Sequence, residues 1–441
     1  MPAPARNPRG GGVFVSTFSE CAFFSLLYID SVRGLCYNNA CCFLFDIRRN
    51  IQGMNASTVK KPAHGRMPHA VAAVLSFIKK NTVLCIAIVA AVVTSFIVPP
   101  DAAYLGYFDF RTLTCLFCTL AVVCALRGIG FFTFVARKIV LCTGNLRAAV
   151  IALVCITFIG SMLIANDMAL LTFLPLGFFV LESTGNRGYM AFTFIMQNIA
   201  ANLGGMLTPF GNPQNLYLYS HFSIPVGEFM SIMFPPFILS IAMIAVCCFV
   251  FVKPVKLKLE DREAKKLPIA RTVIYLLLFS FSIVIVFRVV PYWLGLIVLP
   301  VALLFLDRRA LAKVDYALLF TFVSFFIFAG NMGRIEAVRS LFSGLLEKST
   351  LIFSVLSCQC ISNVPSAVLL SQFTENYREL LVGVNIGGAG TLIASLASLI
   401  TFREYTSHNP GKAGKYIALF SAVNFGFLII LTVFEYFLFN H

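Results

Sequence analysis

The sequence predicts an all-α polytopic membrane protein made of two inverted-topology repeats, each with a re-entrant hairpin and a discontinuous transmembrane helix. Three observations carry that expectation. The 441 residues are 59% hydrophobic and 12% charged, with a mean hydropathy of +0.88, far on the apolar side of a soluble domain. Apolar runs of membrane-spanning length recur along the chain. Two of these runs are interrupted, at 198 to 215 and 385 to 398, by glycine pairs and by amide or hydroxyl side chains. A bilayer interior cannot hydrogen-bond freed backbone groups, so such breaks survive only where protein or a water-filled cavity satisfies them.

Charge and cysteine usage narrow the classes further. The formal charge of +15 comes from basic residues lying between apolar spans rather than in one patch, so they read as topology signals and no nucleic-acid partner is expected. The fourteen cysteines include Cys41 with Cys42, Cys115 with Cys118, Cys247 with Cys248, and Cys358 with Cys360, the last three pairs in apolar segments. Without a second CxxC at finger-like spacing they read as small buried hydrophobes.

Four regions follow in order: a poorly ordered segment at 1 to 66, a first repeat at 67 to 252, a basic linker at 253 to 269 and a second repeat at 270 to 441. The opening segment is a poor signal peptide, and its apolar run at 13 to 28 is interrupted by Glu20, so the natural start is expected at Met54 or Met67. Spans then fall at 82 to 99, closed by Pro99 and Pro100, and at 110 to 126, closed by Arg127. Residues 129 to 143 carry Arg137 and Lys138 beside apolar positions, the pattern of a helix lying in the interface. The stretch 147 to 181 is long enough for two passes but holds Asn166 and Asp167 at its centre, and it reads as a re-entrant hairpin of two short arms meeting at a polar tip. Residues 188 to 203 begin a span that breaks and resumes toward Tyr219, and 227 to 252 make a full crossing. The linker KPVKLKLEDREAKK at 253 to 266 belongs in the cytoplasm by the positive-inside tendency, as does the N-terminus, in a plasma (inner) membrane. The second half repeats the order. Spans lie near 270 to 289, 293 to 306 and 315 to 332, an interfacial helix at 334 to 347, a hairpin at 350 to 372 tipped by Asn363, a broken span at 379 to 403 and a last crossing at 414 to 438.

The residue match between halves is sharpest at the breaks. Asn202-Leu203-Gly204-Gly205 pairs with Asn385-Ile386-Gly387-Gly388, and Thr208 falls opposite Thr391 at the same offset. Inverted repeats with paired broken helices are an architecture of secondary transporters, with sites at the breaks. The candidate substrate and ion residues are therefore Asn166, Asp167, Asn202, Gly204, Gly205, Thr208, Gly211, Asn212 and Asn215 in the first half. In the second half they are Ser362, Asn363, Asn385, Gly387, Gly388 and Thr391. Glycines permit close backbone approach, amides donate and accept, and an intramembrane carboxylate such as Asp167 is a functional candidate in its own right. Elsewhere, Arg334 and Glu336 read as a surface ion pair, Glu435 as reaching the interface, and His221 as solvated.

The runs ANDMALLTFLP (165 to 175), NLGGMLTPFGNPQNLYLYS (202 to 220), SNVPSAVLLS (362 to 371) and VNIGGAGTLIASLASLI (384 to 400) resemble the citrate-transporter-like permeases. These belong to the ion transporter superfamily, with the divalent-anion/sodium symporters, arsenite permeases and NhaD-type sodium/proton antiporters. The resemblance covers about residues 75 to 441 and implies hairpins and broken helices moving against a homodimeric scaffold, in an elevator mechanism. It implies two clamshells, one formed by Asn166 with Gly204, Gly205, Thr208 and Gly211, the other by Ser362 and Asn363 with Gly387, Gly388 and Thr391. Where those symporters carry Ser-Asn-Thr tips, this chain has Ala165-Asn166-Asp167 and Ser362-Asn363-Val364, which opens a proton-coupled role for Asp167.

The expected function is secondary active transport of a small anion, citrate- or dicarboxylate-like, coupled to sodium or protons. The alternative is a sodium/proton antiporter. No cofactor is expected, with sodium as a coupling ion at the same residues. An enzyme would need a convergent nucleophile and base or a metal cluster, which the five scattered histidines do not supply. The remaining partners are the anionic substrate and membrane lipid.

Overall fold

A computed structural model describes residues 77–78, 81–257 and 267–440. The expectations for 1 to 66, and for most of the basic linker, lie outside the described residues. Those described are helical throughout. The helices are α1 (Thr82–Ile97), α2 (Phe110–Gly128), α3 (Phe131–Leu141), α4 (Leu146–Ile164), α5 (Asn166–Ser183), α6 (Met190–Gly204), α7 (Pro213–His221) and α8 (Val226–Phe251). Beyond the linker come α9 (Ile269–Val286), α10 (Tyr292–Leu306), α11 (Arg308–Ala312), α12 (Tyr316–Arg334), α13 (Glu336–Leu346) and α14 (Thr350–Ile361). The chain ends in α15 (Asn363–Leu370), α16 (Tyr377–Ile386), α17 (Leu396–His408) and α18 (Ala413–Asn440).

Among the described residues six helices are long and apolar enough to cross a membrane: α2, α4, α8, α9, α12 and α18. Their outer faces, with that of α10, carry large apolar side chains that water would not tolerate in such density: Leu277 is 66% exposed, Phe305 79% and Phe251 63%. The protein is a multi-pass membrane protein.

Local chemistry sets the boundaries. Pro99 and Pro100 follow the last turn of α1, since neither ring can continue a helix. Both α2 and α12 begin on an aspartate cap. Asp109 accepts the Thr112 amide (3.0 Å) and the Thr112 hydroxyl (2.6 Å), and Asp315 accepts the Leu318 amide (3.0 Å). From each cap the same series of elements follows. It runs through a long helix (α2, α12), a short amphipathic helix (α3, α13), a helical hairpin (α4 with α5, α14 with α15), a broken helix (α6 with α7, α16 with α17) and a long closing helix (α8, α18).

Three local readings change. The arms of the first hairpin are 19 and 18 residues long, so α4 is itself of crossing length, whereas those of the second are 12 and 8. Arg334 does not pair with Glu336. Its guanidinium forms a two-pronged bond to Asp101 (3.0 and 2.7 Å) and reaches the Tyr107 hydroxyl (3.2 Å), closing the turn after α1 onto the end of α12. Glu435, expected near the interface, is fully buried.

The Arg334 guanidinium, chiefly through that hydrogen bond, holds the Asp101 carboxyl below the usual carboxylate range. A folded-state value below the unfolded one gives stabilisation that is present above the ordinary carboxylate pKa and is lost as pH falls through the folded value. The pair is exposed, so its effect is small and screened by salt. Arg334→Gln is expected to lower the unfolding temperature slightly at neutral pH and low salt. The difference should shrink as pH falls below the ordinary carboxylate range, and at high salt, as paired thermal melts would record.

Candidate functional site

Each hairpin turns at a single residue. The tip residues Ala165 and Ser362 take positive φ (66° and 76°) with extended ψ (150° and 159°), a conformation that non-glycine residues adopt rarely and at a cost of roughly 1–3 kcal/mol. An asparagine follows in both cases and closes the turn on itself. Asn166 Oδ1 accepts the Asp167 amide (2.9 Å), and Asn363 Oδ1 accepts the Val364 amide (2.9 Å).

The broken helices abut these tips. After α6 the chain passes through one 3-10 turn, Gly205–Leu207, and an extended Thr208 before restarting at Pro213. A Cβ on Gly204 would stand 2.4 Å from Phe158 O in α4, and one on Gly211 2.2 Å from Gly205 O, so backbone-to-backbone contact requires glycine at both. Thr208 Oγ1 donates to Met162 O (2.9 Å), and Thr391 Oγ1 to Gln359 O (3.2 Å). Met162 and Gln359 each lie three residues before their tip, so each threonine ties its break to the same point of its own hairpin.

The freed carbonyls are met by side chains. Asn215 Nδ2 donates to the carbonyls of Gly205 (3.2 Å), Met206 (3.1 Å) and Thr208 (3.2 Å). Gln359 Nε2 does the equivalent for Gly387 (2.8 Å) and Ala389 (3.3 Å), and its Oε1 accepts the Thr391 amide (2.9 Å). Sequence reasoning missed Gln359; its signal is an amide inside an otherwise apolar hairpin arm.

The two halves then cross. Asn212, which begins the second arm of the first break, donates to Asn385 Oδ1 (3.2 Å) in the second break, with Gln214 Nε2 at 3.4 Å from the same oxygen. Reciprocally, Ser395, which begins the second arm of the second break, donates to Asn202 Oδ1 (2.7 Å) in the first. Asn385 Nδ2 donates to Asn215 Oδ1 (2.6 Å), Asn198 Nδ2 to Ser398 Oγ (3.3 Å), and Asn166 Nδ2 to Asn202 Oδ1 (3.2 Å). Ser362 Oγ and the Asn363 amide both donate to Ala394 O (3.3 and 3.0 Å). The Cβ position of Gly388 lies 3.1 Å from Asn363 Nδ2 and 3.8 Å from Asn202 Oδ1, which places the second tip beside the first break.

The structure thus brings Asn166, Asn202, Asn212, Asn215, Asn363, Asn385 and Gly388 into one buried assembly. Asp167 adjoins it through its amide only. Asn198, Gln214, Ser395 and Ser398 join the assembly without having been singled out in the sequence, where their signal is an amide or hydroxyl within a turn or two of a break. Within it Asn202 Nδ2, Asn212 Oδ1 and Gln214 Oε1, and beside it Asp167 Oδ1, are enclosed with no hydrogen-bond partner among the described residues. Each such atom costs about 1–3 kcal/mol when left unsatisfied, so four together mark a place that holds hydrogen-bonding capacity in reserve.

Beyond this assembly a cavity of about 450 Å³ lies against the ends of α7 and α15, with Asp109, Arg111, Tyr217, His221 and Gln372 in its wall. His221 is exposed there, as expected, and stacks on Tyr217 with ring centroids 5.2 Å apart. No group of three or more histidine, cysteine, aspartate or glutamate side chains converges among the described residues.

If the threonine ties fix each break to its hairpin, Thr208→Val and Thr391→Val should each lower stability by roughly 0.5–1.5 kcal/mol, read from chemical or thermal unfolding of the purified protein.

Helices of crossing length, with two broken helices and two hairpin tips, are an arrangement that fits a membrane transporter. The family model described as "Citrate transporter" matches residues 70–376, and the chain belongs to that family. An uncharacterised transporter of Methanocaldococcus jannaschii is 31% identical over 329 residues, covering 74% of this chain and 89% of the relative. The inner membrane protein YbiR of Escherichia coli is 28% identical over 324 residues, 70% of this chain and 84% of YbiR. The silicon efflux transporter LSI3 of Oryza sativa subsp. japonica is 29% identical over 135 residues, 30% of this chain and 27% of LSI3.

Proposed function

We propose that this protein is a secondary active transporter that moves a small anion, citrate- or dicarboxylate-like, across the plasma (inner) membrane, driven by sodium or protons. The observation that carries this reading is the crossed pair of bonds, Asn212 to Asn385 and Ser395 to Asn202, surrounded by buried polar atoms without partners. Buried polar groups inside a membrane protein are costly and mark substrate or ion pathways. The matching element series is read as an inverted repeat of 67 to 252 and 270 to 441, with the N-terminus and residues 253 to 266 in the cytoplasm.

On this reading Asn202, Asn212, Asn215 and Asn385, with the glycines Gly204, Gly205, Gly211, Gly387 and Gly388, hold cargo between the tips. Asn166, Ser362, Asn363, Thr208 and Thr391 offer oxygens to a coupling cation, and Asp167 couples through a proton or sodium. The starts of α5, α7, α15 and α17 add partial positive charge that favours an anion. Hairpins and broken helices then travel against α2, α9, α10 and α12 in a homodimer.

A second reading, a sodium/proton antiporter, is favoured by one observation. The fifteen candidate residues include one carboxylate and no lysine, arginine or histidine. Reconstitution into proteoliposomes separates the two. Gradient-driven uptake of labelled citrate or a dicarboxylate supports anion transport, and cation-driven internal pH change without an anion supports antiport. Passive conduction without coupling to any gradient would overturn both.

A further inference from the structure

We propose that a basic recess at the ends of α2, α9, α10 and α11 binds the phosphate headgroup of an anionic glycerophospholipid. This inference rests on the membrane location of the chain and is independent of the cargo. The recess has a volume of about 450 Å³ and is lined by Arg271, Arg308, Arg309 and Lys313. Asp307 is the acidic residue in the same wall, and its Oδ1 is committed to the Arg309 amide (3.1 Å) and the Ala310 amide (3.2 Å). Arg308 is held in place by its Nε bond to Leu304 O (3.1 Å). None of the four cations forms an ion pair with a carboxylate among the described residues.

Four cations against the one carboxylate of Asp307 leave the hollow with a net positive charge, and an anion relieves the repulsion among them. Phosphate suits them because a guanidinium meets two of its oxygens at once. The floor leaves room, since a Cβ on Gly128 would come no nearer than 3.9 Å to Asp307 Oδ2.

The surroundings select a lipid over a free ion. α9 begins and α10 ends at this recess, and their outward faces descend from it carrying Ile269 (79% exposed), Val273 (50%), Leu304 (45%) and Phe305 (79%). A phosphate in the recess therefore has an apolar wall beneath it along which its acyl chains can lie. Basic pockets between membrane helices on the cytoplasmic side are suited to lipid headgroups for this combination of charge and apolar surface.

The test uses the full-length chain, purified in detergent and examined by native mass spectrometry with phosphatidylglycerol, phosphatidylcholine of the same acyl chains, and inorganic phosphate. Wild type is expected to retain phosphatidylglycerol at least about tenfold over phosphatidylcholine, with the preference falling as salt rises. The triple variant Arg271→Ala, Arg308→Ala, Arg309→Ala should lose the preference, and the corresponding lysine triple should keep part of it. Gly128→Leu, which narrows the recess without changing charge, should weaken it as well. This variant decides the matter if the alanine triple does not fold. Equal retention of the two lipids by wild type, or an undiminished preference in both the alanine triple and Gly128→Leu, overturns the proposal. Binding of inorganic phosphate as strong as that of the lipid overturns it in favour of a free ion. A dimer that forms without lipid and is broken by the arginine substitutions overturns it in favour of a second copy of the chain.

Discussion

Asp167→Asn is expected to leave no gradient-driven uptake above the background of empty vesicles, while the protein stays folded and in the membrane. The substitution is nearly isosteric. It preserves the one local bond the residue makes, from its own amide to Asn166 Oδ1. Its Oδ1 has no partner to lose, so the exchange should change stability little, and a purely structural Asp167 would leave transport intact. A carboxyl inside a membrane protein with an enclosed, unpartnered oxygen is suited to take up and release a cation or proton. The check is a pair of measurements on one preparation, a melting curve and an uptake assay across pH. Coupled uptake with wild-type pH dependence would remove Asp167 from the mechanism.

The second large effect is steric. Gly204→Ala puts a methyl group 2.4 Å from Phe158 O and 2.9 Å from Ser161 Oγ, and the first of these is backbone that cannot rotate aside. Overpacking of this kind costs about 1–3 kcal/mol, more than the helix propensity gained by the exchange. Gly426→Ala in α18 is the matched control. Nothing lies within 4 Å of its Cβ position, so it should gain about 0.5–1 kcal/mol from propensity alone. Unfolding temperatures of the two variants moving in opposite directions would show that close approach, and not glycine content, holds α6 against α4. A neutral Gly204→Ala would mean that the hairpin arm can retreat.

The spans, the hairpin tips and the breaks were legible in the sequence because each has a local cause. Gly204-Gly205 and Gly387-Gly388 interrupt apolar runs, Asn166 and Asn363 sit at the centres of theirs, and Asp109 and Asp315 precede the helices they cap. What was not legible depends on partners distant in sequence. Arg334 lies next but one to Glu336, yet bonds Asp101, 233 positions away. Gln359 went unnoticed because its role exists only once the second break folds against it. Glu435 illustrates another limit. A helix apolar on every face gives no amphipathic pattern from which to tell the buried side from the lipid side, so its full burial could not be read.

The crossed bonds at the centre of the fold have a consequence for how the protein is made. Asn212 and Asn385 are separated by 173 positions, and Asn202 and Ser395 by 193, so the first half can meet its freed carbonyls through Asn215 but cannot make the bonds that cross to the second break. While the ribosome is still producing α9 to α15, the amides of Asn202, Asn212 and Asn215 are already in the membrane without their second-half partners. The first half therefore remains an incomplete assembly during synthesis. Its final packing is a late, post-insertion event, which sets in only when α16 and α17 arrive.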